Sequence, residues 1–313
     1  MNKRKMHAVI FLNNYWEWSG GMLQYLAWAN NSKPDDPSTG IEWNELMTRV
    51  SEYYSNKKAN DLYRNYIKML VNRENKFTGK KYKDDNTIMS WELANEPRGG
   101  EGRTNSKKKV IFQKWVDQTA GYIHSLDENH LVTTGSEGAI GCKGNYELYK
   151  KSHSFKNIDY LVFHLWPNNW DWFKPDSVER TFDSSVKKSI DYINKHIQVA
   201  RQLKKPLVME EFGFRRDSLK YSANSTVELR DKYFAVILKL ISDSISQNAP
   251  FSGVNFWGWS GEGRPKHPGG VWLKGDDYII EPPFEAQGIN SVYDSDSGTI
   301  EILKRFAKKI SSQ

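Results

Sequence analysis

Short apolar runs alternate along the chain with longer stretches whose apolar residues recur at helical spacing. Most of the runs are continuous rather than alternating, which is typical of parallel strands covered by helices. Strands are predicted at residues 7–13, 87–93, 130–134, 158–164, 206–211 and 253–257. Helices are predicted between them at residues 59–73, 109–126, 186–203 and 227–246.

This order of strands and helices predicts right-handed βαβ units around a parallel sheet. No Gly- or Ser-rich linker interrupts it, so a single domain is expected over residues 1–313. Two folds fit the pattern, a doubly wound sheet and a (β/α)8 TIM barrel. A doubly wound sheet that binds dinucleotides needs a GxGxxG turn after its first strand, and the only early glycines, Gly20 and Gly21, do not have that spacing. The α/β class with a barrel is therefore favoured.

Composition narrows the range of partners. The net charge is +7, but the charged residues are scattered along the chain, which argues against a nucleic-acid partner. No apolar run approaches the roughly 18 residues that span a bilayer, so no membrane partner is expected. The one cysteine, Cys142, excludes an internal disulfide and a multi-cysteine metal site. The 12 tryptophans either fill a core or line a surface that stacks on flat faces such as those of sugar rings.

Polar, acidic and aromatic residues follow each predicted strand, at the barrel end where active sites lie. These segments are residues 13–18, 95–98, 136–138, 164–166, 210–213 and 256–259. Cleaving a glycosidic bond needs two carboxyl groups, and Glu96 and Glu211 are the candidate pair. A single glutamate is more often a salt-bridged surface residue. Glu210 competes with Glu211, because adjacent strand residues point to opposite faces and only one of them is expected to enter a cleft.

Four of these segments together resemble the signatures of glycoside hydrolase family 5. They read WELANEPR at residues 91–98, HLW at 164–166, MEEFG at 209–213 and FWGW at 256–259. Residues 13–22 and 282–288 are most similar to the endo-β-1,4-mannanases of that family. The resemblance implies a (β/α)8 barrel that hydrolyses internal bonds of mannan, glucomannan or galactomannan without a metal or cofactor. The family's nucleophile immediately precedes an aromatic–Gly pair, which selects Glu211.

The resemblance also implies roles for individual residues. Retaining double displacement would use Glu96 as general acid/base and Glu211 as nucleophile, with the carboxyl groups about 5 to 5.5 Å apart. Many relatives carry a tyrosine that touches the nucleophile where this chain has Trp166, whose indole donates a hydrogen bond but cannot accept one. The other implied substrate-binding residues are Asn95 at the sugar 2-hydroxyl, Arg98, Glu137, His164, Trp257, Trp16 and Trp18. Four more tryptophans are candidates for either substrate stacking or packing: Trp170, Trp172, Trp259 and Trp272.

The resemblance places the end of the third barrel strand at Asn13–Trp16. Only strands three to eight are then expected in this chain, which would be a fragment lacking the first two βα units. The apolar run before Asn13 is shorter than the roughly 7 to 15 residues of a signal-peptide core, so it is interpreted as a barrel strand rather than a leader. A monomeric enzyme, secreted or periplasmic, is expected from the family.

Three alternatives stay open at this point. An exo-acting β-mannosidase and a β-1,4-glucanase are possible on the same scaffold. The third is an inactive carbohydrate-binding fragment that keeps its tryptophans but does not turn over a substrate.

Overall fold

The computed structural model describes residues 1–35, 41–99 and 106–311. The chain divides into two compact units, Met1–Phe163 and His164–Gln313. Helices separate most of the strands in both units, as the sequence predicts.

The first unit is built around a parallel sheet with strand order β1–β2–β3. In its register Ile10 lies opposite Trp91, and Trp91 lies opposite Val132. The unit contains β1 (Ala8–Phe11), α1 (Gly21–Asn30), α2 (Trp43–Val50), α3 (Lys57–Val71), β2 (Ile88–Glu92), α4 (Ser106–Leu126), β3 (Leu131–Thr133) and α5 (Tyr146–His153). Helix α3 shows how the pattern works, because it buries one residue in every four: Ala59, Tyr63, Ile67 and Val71.

The second unit contains a sheet with strand order β4–β5–β6 and a separate two-stranded sheet, β7–β8. Leu207 lies opposite Phe251, and Met209 lies opposite Val254, in parallel register. The elements are β4 (Leu161–Leu165, which begins at the end of the first unit), α6 (Val178–Leu203), β5 (Leu207–Phe212), α7 (Glu228–Ser246), β6 (Phe251–Val254), β7 (Trp259–Gly261), β8 (Val292–Tyr293) and α8 (Ser297–Ser311).

All six predicted strands are confirmed, with ends that shift by a few residues. The predicted helices are also present, but α6 begins at Val178 rather than at residue 186, because its first turns are largely polar. The assignment to barrel strands three to eight and the single-domain prediction stay predictions. Within the described ranges, no helix combines the length and the apolar character needed to cross a membrane.

A buried ion cluster holds the start of α8 to the loop after β5 and to α7. The Nη2 atoms of Arg216 and Arg230 lie 2.8 and 2.6 Å from the two carboxylate oxygens of Asp296, and all three side chains are at most 4% exposed. Arg230 also donates to the Ser291 carbonyl at 2.8 Å. Burial alone raises the pKa of Asp296, but the two guanidinium groups outweigh burial, so that its pKa lies below the ordinary value. The charge of Asp296 therefore stabilises the fold.

Candidate active site

Backbone hydrogen bonds continue past the ends of β1, β2 and β3 and hold the following segments side by side. The amide of Asn95 donates to the Asn13 carbonyl at 2.9 Å, and the amide of Glu96 donates to the Gly135 carbonyl at 2.8 Å. Gly135 has φ +73°, and a Cβ there would lie 2.0 Å from the Ala94 carbonyl oxygen, so only glycine fits. Glu96 itself has φ +52°, in the left-handed region. The end of β2 is thereby shaped to present Glu96.

Glu96 is 7% exposed and lies in an aromatic and charged setting. The Trp16 indole Nε1 donates to Glu96 Oε2 at 2.7 Å. The Arg98 guanidinium lies 4.8 Å from the Trp16 ring centroid and forms a 2.7 Å ion pair with Glu137. The Trp43 ring stacks on the Trp16 ring, with 5.6 Å between the ring centroids. Because an indole N–H can only donate, Oε2 of Glu96 acts as the acceptor of this hydrogen bond.

Two further predicted residues flank this group. The side-chain amide Nδ2 of Asn95 donates to Asn14 Oδ1 at 3.4 Å, and this hydrogen bond orients the Asn95 side chain. Trp18 lies with its ring centroid 6.1 Å from that of Trp16. It also lines a cavity of about 480 Å³ together with Asn14 and Trp28. The first unit therefore links Trp16, Arg98 and Glu137 to Glu96, with Asn95 as its chain neighbour, whereas Trp18 contacts Trp16 and lines the cavity.

In the second unit, two ring nitrogens lie next to one oxygen of Glu211, at the end of β5. The Trp166 Nε1 lies 3.2 Å from Glu211 Oε2, and the His164 Nδ1 also lies 3.2 Å from it. His164 is fully buried, so its ring is fixed by packing. When Trp166 Nε1 and His164 Nδ1 each carry a hydrogen, both donate to Glu211 Oε2 and favour the ionised form of the Glu211 carboxylate. Trp166 therefore contacts Glu211 as a donor, the role that its indole permits.

Glycine allows Trp166 to approach this strand. A Cβ on Gly213 would lie 2.4 Å from the Trp166 ring. The amide of Gly213 donates to the Leu165 carbonyl at 3.4 Å, and the amide of Trp257 donates to the Phe212 carbonyl at 2.8 Å. The segments after β4, β5 and β6 thus lie next to one another, which places Trp257 beside the end of the Glu211 strand.

The four remaining tryptophans lie elsewhere in the second unit. Trp170 and Trp172 pack edge to face against each other at 4.9 Å and against Tyr192 of α6. Trp272 stacks on the exposed ring of Tyr278 at 5.2 Å. Trp259 is 53% exposed at the start of β7. These contacts support packing, rather than substrate stacking, as the role of Trp170 and Trp172.

Sequence reasoning did not select two side chains beside these groups. Trp43 belongs to α2, far along the chain from any strand end, and nothing in the sequence signals its stacking on Trp16. Arg215 follows Glu211 in the loop after β5 and hydrogen-bonds Asn169 in the loop after β4. The position of Arg215 shortly after the end of β5 was the sequence feature that could have marked it as a candidate site residue.

Comparison with known proteins gives matches over most of the chain. The family model described as GH family 5 beta-mannosidase-like matches residues 1–313. The chain is similar to mannan endo-1,4-beta-mannosidase 4 of Solanum lycopersicum, with 32% identity over 270 residues that cover 83% of this chain. The chain spans 61% of that relative's length, and 57% of the length of mannan endo-1,4-beta-mannosidase 1 of Arabidopsis thaliana.

Two solved structures are similar over nearly the whole chain. The family 5 mannosidase of Rhizomucor miehei has a TM-score of 0.87 and 31% identity, covering 99% of this chain and 73% of that one. The endo-beta-1,4-mannanase of Thermotoga petrophila has a TM-score of 0.69 and 25% identity, covering 98% of this chain and 58% of that one. These likenesses confirm the (β/α)8 barrel fold class, with its parallel sheets. The chain belongs to glycoside hydrolase family 5, in its β-mannosidase-like group.

Proposed function

We propose that this chain carries the catalytic residues of a retaining hydrolase of β-1,4-mannosidic bonds. Glu211 is the nucleophile and Glu96 the general acid/base. The observation that carries the proposal is the pair of ring nitrogens, Trp166 Nε1 and His164 Nδ1, that each lie 3.2 Å from one oxygen of Glu211. With a hydrogen on each of these nitrogens, both groups donate to Glu211 and favour an ionised carboxylate, which is the form that attacks carbon.

Double displacement assigns each proton and bond to a residue. In the first step Glu211 attacks the anomeric carbon, the glycosidic C–O bond breaks, and the proton of Glu96 moves to the leaving oxygen. In the second step Glu96 takes a proton from water, the water oxygen attacks the same carbon, and Glu211 is released. Retention requires the two carboxyl groups to lie about 5 to 5.5 Å apart in the working enzyme.

The hydrogen bond from Trp16 to Glu96 gives a first prediction. Trp16→Phe removes the donor but keeps an aromatic ring next to Arg98 and Trp43, so that Glu96 loses this hydrogen bond. We expect kcat on mannotriose to fall by up to about ten-fold, the upper end of the typical net contribution of one hydrogen bond. Trp43→Phe is the matched control, because Trp43 stacks on Trp16 without a hydrogen bond to Glu96. Equal kcat values for the two variants would contradict this role for Trp16.

Endo action is our first choice for the cleavage mode, because the curated relatives named above are mannan endo-1,4-beta-mannosidases. Exo-acting β-mannosidase is a second candidate with support of its own. The Rhizomucor miehei mannosidase matches with a higher TM-score, 0.87 against 0.69, and a mutant of it was solved in complex with mannosyl-fructose.

The products of mannohexaose separate the two modes. Endo action predicts mannobiose, mannotriose and mannotetraose at early times. Mannose and mannopentaose as the only early products would contradict endo action and support an exo-mannosidase. Cellohexaose is the substrate control, since faster cleavage of cellohexaose than of mannohexaose would identify a β-1,4-glucanase instead.

A further inference from the structure

Residues 73–82, between α3 and β2, form a short antiparallel hairpin. The amide of Asn75 donates to the Lys80 carbonyl at 2.8 Å, which closes the turn. Within the turn, Asn75 Oδ1 accepts the amide of Phe77 at 2.9 Å. Gly79 has φ +67°, a conformation that glycine adopts without strain. These features give the tip of the hairpin a defined geometry.

Phe77 stands at this tip with its side chain in solvent. Among the exposed large apolar residues of the described ranges, it has the highest exposed fraction, 99%. Its neighbours in the turn, Lys76 and Thr78, are polar, so the ring is not part of an apolar run of the chain. An aromatic ring held in water forgoes the stabilisation that burial supplies. The hairpin therefore presents one apolar ring that a partner could bury.

The charges nearest to this ring along the chain have one sign. Residues 75–83 contain four lysines and no acidic residue. Lys76, Lys80 and Lys81 are exposed, and in the described part of the chain no carboxylate forms an ion pair with them. The nearest acidic residues along the chain lie at the base of the hairpin or just after it: Glu74, Asp84 and Asp85.

A second basic segment leaves the same edge of the sheet. Strands β1 and β2 are parallel, with Ala8 opposite Ile88, and the amide of Ala8 donates to the Thr87 carbonyl at 2.7 Å. The segments that precede the two strands therefore leave this edge side by side. The segment before β1 contributes three basic residues and an exposed methionine: Lys3, Arg4, Lys5 and Met6.

Charge and shape together select the partner. Anionic lipid headgroups supply diffuse negative charge, which suits lysine ammonium groups because these are flexible point charges. The apolar boundary beneath the headgroups surrounds an inserted ring on every side. A polysaccharide chain would instead cover one face of the ring, and a protein partner would bury a patch of several apolar residues.

We propose that the hairpin and residues 3–6 bind the surface of an anionic lipid bilayer, with Phe77 inserted below the headgroups. Such peripheral binding needs no membrane-spanning run, whereas the expectation of no membrane partner was based on spanning runs alone. The hairpin precedes the amino end of β2 and Glu96 follows its carboxyl end, and the 5 residues of this strand span roughly 16 Å. A bilayer at the hairpin therefore leaves Glu96 at the far end of β2.

Co-sedimentation of the full chain with lipid vesicles tests this surface. One set of vesicles contains phosphatidylcholine and phosphatidylglycerol in a three-to-one ratio, and the other contains phosphatidylcholine alone. We expect binding to the anionic vesicles only, and release at high salt, because salt screens the lysine charges. Phe77→Ala should raise the Kd for anionic vesicles about ten-fold. Lys80→Gln combined with Lys81→Gln should raise it about thirty-fold.

Phe284 offers a matched control for Phe77. It is 74% exposed in the second unit, but Glu285 follows it and no lysine lies beside it. Phe284→Ala should keep the Kd for anionic vesicles within two-fold of the unsubstituted chain. Both phenylalanines are exposed, so the two variants should keep the melting temperature of the unsubstituted chain, which separates a loss of binding from a loss of fold.

Insertion of the tip can be measured directly. Phe77→Cys supplies one exposed thiol for a polarity-sensitive dye, because the natural Cys142 is buried. The dye takes the place of the ring, and its emission should shift to the blue when anionic vesicles are added. The same dye on Phe284→Cys should show no shift.

Equal binding of Phe77→Ala and the unsubstituted chain would overturn the proposal, and so would no binding to vesicles or equal binding to neutral and anionic vesicles. Binding to soluble polyglutamate or polygalacturonate without binding to vesicles would assign the surface to another polyanion and would also overturn it. A dye on Phe77→Cys that shows no blue shift on bound vesicles would contradict the insertion of the tip.

Discussion

Glu211→Gln is expected to lower kcat on mannotriose by about a thousand-fold or more, because the amide keeps the shape of the side chain but cannot attack the anomeric carbon. The amide can still accept one hydrogen bond at the position where Trp166 and His164 now donate, so the fold around β5 should persist. A steady-state assay of purified variant and unsubstituted chain, together with their melting temperatures, measures both effects.

Glu210→Gln is the matched control for this prediction, because it makes the same substitution one residue earlier on β5. We expect it to keep its turnover within about ten-fold of the unsubstituted chain, since adjacent strand residues point to opposite faces. Unchanged turnover in Glu211→Gln would remove Glu211 from the mechanism. A folded chain that has no activity before any substitution would favour the carbohydrate-binding fragment.

Asp296→Asn should lower the free energy of unfolding by about 3 to 5 kcal/mol, because it leaves Arg216 and Arg230 buried without their shared counter-ion. Both arginine side chains are fully buried, so water cannot replace the lost charge. Denaturant unfolding at neutral pH, followed by tryptophan fluorescence, measures the difference. Asp294→Asn is the control, since Asp294 pairs with Arg264 at the surface, where an ion pair contributes about 1 kcal/mol or less.

The same cluster predicts a dependence on pH. The pKa of Asp296 is lowered in the folded state, so its contribution is fully present above the unfolded pKa of about 3.9 and declines as the pH falls through the lower, folded value. The difference in stability between the unsubstituted chain and Asp296→Asn should therefore be largest at neutral pH and should shrink in acid. A difference that grows below pH 4 would contradict this account of the cluster.

The fold class was predictable because its signal is local. The apolar starts of β4 and β5, residues 161–163 and 207–209, are buried, and one residue in four of α3 faces the core, so the apolar pattern alone locates these elements. The start of α6 was not predictable in this way. Its first two turns are mainly polar and add little to an apolar pattern.

The candidate site was predictable residue by residue but not contact by contact. Strand ends and the family resemblance select Glu96, Glu211 and Trp166 from the sequence. They do not reveal that Trp166 and His164 share one oxygen of Glu211, or that the Arg98 guanidinium lies over the Trp16 ring. Those contacts depend on side-chain directions set by packing between distant segments, which no local pattern encodes.

The most direct test of the central claim is to trap the covalent intermediate. A 2-deoxy-2-fluoro-β-mannosyl fluoride has a good leaving group and an electron-withdrawing fluorine that slows the second displacement, so a sugar ester on the nucleophile should accumulate. Proteolysis and tandem mass spectrometry then locate the modified residue. The account predicts a single 2-fluoromannosyl ester on Glu211 and loss of activity in step with labelling; an ester on Glu210, or no ester in a chain that hydrolyses mannotriose, would contradict it.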